Sequence, residues 1–136
     1  MLQSLFIRAL ALGLAASPAL RGAEPDKSAA AAMTILRAHC FSCHNVEKKR
    51  GQLDLTSREA AIKGGENGSA LKPGKASDSP LVKQLLPGTD PHMPPKKQLP
   101  DKLIATLRGW VDAGAVWDAG VLKLLTRETK SDELKA

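Results

Sequence analysis

Both cysteines of the 136-residue chain fall within five positions, Cys40-Phe41-Ser42-Cys43-His44. Two thiols three residues apart can each bond one vinyl group of the same porphyrin. The histidine that follows then lies under the iron as its proximal ligand, which is the spacing of c-type haem attachment. Other chemistries compete for it. A structural zinc ion wants four nitrogen or sulfur ligands, and Cys40, Cys43 and two of His39, His44 and His92 could nominally supply them. Zinc modules usually return with a second ligand pair at short spacing, however, and the sequence has none. A thioredoxin-like redox pair should follow a strand in a βαβ pattern, whereas an alanine-rich helical stretch precedes this one. A disulfide across two intervening residues would close a very small loop and stabilise little. Haem is the reading the spacing favours.

Haem iron in an electron carrier usually holds a second strong ligand, delivered from the opposite face. Of the three methionines, Met1 leaves with the leader and Met33 sits in the helix that carries the motif, on the wrong side to reach across. Met93 lies 49 residues past His44 in Asp90-Pro91-His92-Met93-Pro94-Pro95. Prolines on both sides restrict that backbone, so the thioether can be presented with little entropy left to lose. His92, one residue away, is the rival, since imidazole also binds iron. Met/His ligation would raise the reduction potential relative to two histidines.

The elements that must position these groups are mostly helical. Ala29 to Cys40 predicts a helix with Ser28 as N-cap and Met33, Leu36 and Cys40 on one face, delivering the motif at its C-terminal end. Lys48 to Leu55 reads as a turn and an extended piece. Thr56-Ser57-Arg58-Glu59 has capping-box spacing for a short helix stopped by Gly64-Gly65, and Glu66 to Lys75 reads as loop. Ser79-Pro80 opens another helix with Leu81, Val82, Leu85 and Leu86 as its apolar face, ended by Pro87-Gly88. The proline-dense stretch from Thr89 to Pro100 excludes regular helix or central strand. The last confident helix spans about Asp101 to Ala113, with Leu103, Leu107, Trp110 and Val111 at helical spacing and Gly114 as stop. Beyond Trp117 a weak apolar patch, Val121 to Leu125, leads into a polar tail expected to fray.

Residues 1–23 have the anatomy of a secretory signal peptide: Arg8, an apolar run from Ala9 to Leu20, then small residues around Gly22-Ala23. The run is too short for an ordinary membrane span of about 20 residues, so no stable span is expected once the leader is gone. This predicts a periplasmic or otherwise exported protein, with domain boundaries at 1–23 for the leader, 24–117 for one small domain and 118–136 for a polar tail. Loss of Arg8 and Arg21 lowers the net charge from +6 to about +4. Nucleic-acid binding is disfavoured, because no aromatic–basic interleaving is present. Lys48 and Lys49 follow the motif and Lys96 and Lys97 follow Met93, so both pairs could rim one haem edge and steer an acidic redox partner. Simple solvated surface is the alternative.

Taken together, several segments resemble the planctomycete-type cytochrome c domain. They are Cys40 to Asn45, Lys49-Arg50-Gly51-Gln52-Leu53-Asp54-Leu55, Gly64-Gly65-Glu66, Lys72-Pro73-Gly74, His92-Met93-Pro94-Pro95 and Leu107 to Ala115. The resemblance spans about residues 33–117. It implies an all-α, small cytochrome c-like fold, three to five helices around one covalently bound haem c, in which the first and last helices cross. Carried over residue by residue, Cys40 and Cys43 would be the thioether attachments, His44 the proximal ligand and Met93 the distal one. The function implied is electron transfer without substrate chemistry, by a protein that is not an enzyme. The alternatives are a haem-binding small subunit, or a ligand sensor or peroxidase-like protein with a labile sixth ligand.

Overall fold

Helix α1, Lys27–His39, buries Ala29, Ala32, Met33 and Leu36, the positions that recur every three to four residues on one helical face. The computed structural model in which it is seen describes residues 27–135, so the leader expected over residues 1–23 lies outside the described residues. The alanines on this face let another helix approach closely. That helix is α4, Asp101–Asp112, whose buried face carries Ile104, Leu107, Trp110 and Val111. Leu36, Met33, Leu107, Trp110 and Val111 are fully buried and form the centre of the core. The expected first and last helices therefore pack together, and the described residues contain helices but no strand beyond a lone bridge between Gly65 and Gly68. The all-α fold class holds.

Between α1 and α4 the chain makes only short elements: a 3₁₀ turn at Arg50–Gln52, α2 at Arg58–Lys63, a second 3₁₀ turn at Ala76–Asp78 and α3 at Pro80–Lys83. The cap of α2 sits one residue later than the capping-box spacing implies. Ser57 accepts the Ala60 amide, while Thr56 is drawn to the Asp54 carboxylate, its hydroxyl 2.6 Å away. Helix α3 is also shorter than its apolar pattern suggests. After Lys83 the backbone tightens into turns, which leaves the carbonyls of Gln84, Leu85 and Leu86 without helical partners.

The far end of α4 is pinned by polar contacts. Arg58 donates from Nε to the Ala115 carbonyl at 3.0 Å and from Nη2 to the Gly114 carbonyl at 3.2 Å, a cation placed where the helix dipole favours one. Asp112 accepts the Ala76 amide at 2.8 Å. Ser79 is fully buried, and its hydroxyl accepts the Lys72 amide at 2.8 Å while facing the carbonyls of Lys72 and Lys75. These bonds hold the irregular middle of the chain against the α1–α4 pair.

The expected frayed tail is instead a helix, α5, Ala119–Glu133. Asp118 caps it by accepting the Val121 amide at 3.0 Å, and the helix packs on α1. Trp117, just before the cap, lies against Trp110 with ring centroids 5.3 Å apart. No described helix is long and apolar enough to cross a membrane.

Candidate functional site

The end of α1 winds directly into the Cys-x-x-Cys-His turn. The amides of Cys40 and Phe41 both reach the Leu36 carbonyl, and the Cys43 and His44 amides return to the Cys40 carbonyl at 3.2 and 3.0 Å. Asn45 braces this turn from both sides: its Nδ2 donates to the Phe41 carbonyl at 2.7 Å, and its Oδ1 accepts the amides of Glu47 and Lys48. Cys40 and Cys43 are free, half-buried thiols. Burial, reinforced by the neighbouring Cys43, pushes the Cys40 thiol up to about 11.

His44 is oriented by backbone. Its Nδ1 lies 3.0 Å from the Arg50 carbonyl, which can only accept, so Nδ1 carries the proton and Nε2 keeps its lone pair. That is the tautomer a metal-ligating histidine needs, fixed by the partner of its other nitrogen. The Arg50 carbonyl is available because the chain kinks there, with Lys49, Gly51 and Gln52 all in left-handed conformations. Arg50 is itself tied back by its amide to the Cys43 carbonyl at 3.1 Å.

His44 and Met93 line the same half-open cleft of about 230 Å³. Its other walls include Leu53, the Gly65–Ala70 turn, Pro80 and Gln84. The Met93 amide donates to the Gln84 carbonyl at 2.7 Å, so the loop bearing the thioether is fastened to the end of α3. Neither cysteine lines the cleft; both sit on the turn that carries His44 into it. His92 does not line it either. Its Nδ1 faces the Pro94 carbonyl at 3.1 Å and its Nε2 faces the Gln98 side-chain oxygen at 2.7 Å. Met33 is fully buried in the core and His39 is exposed at the end of α1. Among the described residues no three His, Cys, Asp or Glu side chains converge into a metal-binding group, so the four-ligand zinc arrangement has no geometric support.

An imidazole with a free lone pair and a thioether facing one cleft, beside two free thiols, make a donor set that fits haem. A family model described as Planctomycete cytochrome C matches residues 40–97. That segment is similar to a planctomycete-type cytochrome c domain. The match runs from Cys40 to Lys97, so it takes in the whole motif and Met93, whereas α1, α4 and α5 lie outside it. It supports a haem-binding cytochrome. No curated protein and no solved structure matches the chain. Two contributors to this site were not among the residues the sequence singled out. Asn45 was visible only as part of the resemblance, and the Arg50 carbonyl, being backbone, has no side-chain signal at all.

Proposed function

We propose that this chain is an exported monohaem c-type cytochrome that transfers electrons. The observation that carries the reading is the shared cleft: a histidine whose Nε2 lone pair is set by the Arg50 carbonyl lines it together with Met93. In this reading Cys40 and Cys43 would hold haem c through thioether bonds, and His44 and Met93 would be the two residues that ligate its iron. The bound group would supply the chemistry, an iron that can alternate between ferrous and ferric states. The chain's own residues do the rest. The Cys40–His44 turn orients the imidazole, and the α3-anchored loop holds the thioether. Leu53, Pro80 and Ala70 give the cleft an apolar wall beside the ligands.

A half-open cleft leaves one side available for a partner. Lys48, Lys49, Lys96 and Lys97 are all exposed, on the segments that follow His44 and Met93, and in this reading they steer an acidic redox protein to that side. Export through the leader at residues 1–23 brings the chain to the compartment where such attachment is made. The test is a haem stain on a denaturing gel after expression of the full-length chain with c-type maturation machinery. Colour retained on the denatured band is expected, and its loss in Cys40→Ser/Cys43→Ser would locate the bonds. A colourless wild-type band would overturn the reading.

A further inference from the structure

The loop from Thr89 to Pro100 has no regular secondary structure, so its own hydrogen bonds do not fix the position of Met93. What fixes it is the early end of α3. The three carbonyls left without helical partners are all taken by this loop. Gln84 receives the Met93 amide at 2.7 Å, Leu86 the Thr89 hydroxyl at 2.8 Å, and Leu85 the side-chain amide of Gln98 at 2.8 Å. The Gln98 NH₂ also points to the Leu99 carbonyl at 3.3 Å. Both carbonyls can only accept, which settles which end of the Gln98 amide is nitrogen. Its oxygen therefore faces His92 Nε2 at 2.7 Å.

We propose that Gln98 is the positioning residue for Met93. It spans from the end of α3 to His92, the residue immediately before the thioether, and so braces the side of the loop that the Met93 amide does not reach. The footing is firm, since Leu85 and Leu99, whose carbonyls receive the NH₂, are both buried. Gln98 itself is exposed, so its replacement leaves the core intact. The inference rests on the reading of Met93 as the distal ligand. A loop that must be ordered before the sulfur can bind loses part of that bond's strength to entropy. Loosening it gives an outside ligand an advantage over Met93.

The experiment uses the haem-loaded full-length chain and imidazole as the competing ligand for ferric iron, with the sulfur-to-iron absorption band as a second readout. Gln98→Leu should bind imidazole roughly tenfold more tightly than wild type and weaken the band; tenfold corresponds to about 1.4 kcal/mol. In a Met93→Ala background, where the position is already open, Gln98→Leu should change nothing further. Gln98→Glu keeps the oxygen but loses both amide hydrogens, and should behave like Gln98→Leu because the brace has lost its footing on Leu85. Unchanged affinity in Gln98→Leu, with Met93→Ala opening the site, would overturn the brace and leave the ligand reading intact. An equal gain in the Met93→Ala background would also overturn it, because the effect would then lie in the cleft and not in the loop. If Met93→Ala altered neither imidazole binding nor the band, the ligand reading itself would fall.

Discussion

Gly65→Ala should be among the most damaging single-methyl additions in this protein, by about 2–4 kcal/mol. Gly65 is not in the left-handed region, so the cost is one of space and not of backbone angle. A methyl group there would run into the Gly51 carbonyl oxygen and lie 3.0 Å from the Leu53 nitrogen and 3.1 Å from the Gln52 carbonyl carbon. All three obstacles are backbone, so no side chain can swing aside. Overpacking of this kind costs about 1–3 kcal/mol. The strike falls on the carbonyl that accepts the Glu66 amide at 3.0 Å, and losing that bond adds about 1 kcal/mol. For a domain of this size the sum lowers the melting temperature by roughly 8–16 °C. The measurement is thermal unfolding of the haem-loaded protein followed by circular dichroism, with Gly68→Ala as the control. Gly68 has a φ of +86° and nothing within 4 Å of an added methyl, so it should cost only about 1 kcal/mol for its backbone angle. The displaced segment also carries the Arg50 carbonyl that orients His44, so Gly65→Ala should perturb the haem spectrum and Gly68→Ala should not. If Gly65→Ala proved no more costly than Gly68→Ala, the steric argument would be wrong.

Ser79→Ala should cost about 1–3 kcal/mol in a urea titration, because it strips a buried hydroxyl from the Lys72 amide and from the carbonyls of Lys72 and Lys75; a loss below about 0.5 kcal/mol would mean the loop re-pairs without it. Before haem attachment, Cys40 should react slowly with iodoacetamide at neutral pH and faster as pH approaches about 11, read by mass spectrometry of the labelled peptide. The same upward shift stabilises the haem-free fold below the ordinary thiol value of 9.0, and this contribution disappears as pH rises through about 11. The alkaline decline in stability should accordingly be shallower in Cys40→Ser, and an identical decline would argue against the burial of that thiol. Reversing charge at Lys96 and Lys97 should slow reduction by an acidic redox protein at low salt, with the difference vanishing as salt is raised. A salt-independent rate would place the docking surface elsewhere.

Much of the local structure was legible in the sequence, because local chemistry dictates it. Pro80 and Gly114 punctuate helices by backbone geometry alone, and the apolar spacing of Leu107, Trp110 and Val111 marks the buried face of α4 whatever lies opposite. The tail was misjudged for the converse reason. From Lys123 onward α5 is rich in charge, and what holds the helix is its packing on α1, roughly 90 residues earlier, together with the Asp118 cap. The one-residue shift in the cap of α2 has a similar origin: Thr56 had a second suitor in Asp54.

The sequence by itself determined the layout of the Cys-x-x-Cys-His turn. Cys40, Cys43 and His44 lie within a single turn, so their relative placement follows from spacing, and no distant contact is needed to recognise it. Which of Met93 and His92 lines the cleft could not be read that way. Adjacent residues in a loop differ in orientation only through what the loop rests on. Here it rests on three carbonyls freed by the short α3, and His92 turns to Gln98 and away from the cleft lining. The proton on His44 was likewise decided in three dimensions, by the carbonyl of Arg50. Backbone acceptors carry no signature in the amino-acid code, and only the folded chain brings them to the groups they orient.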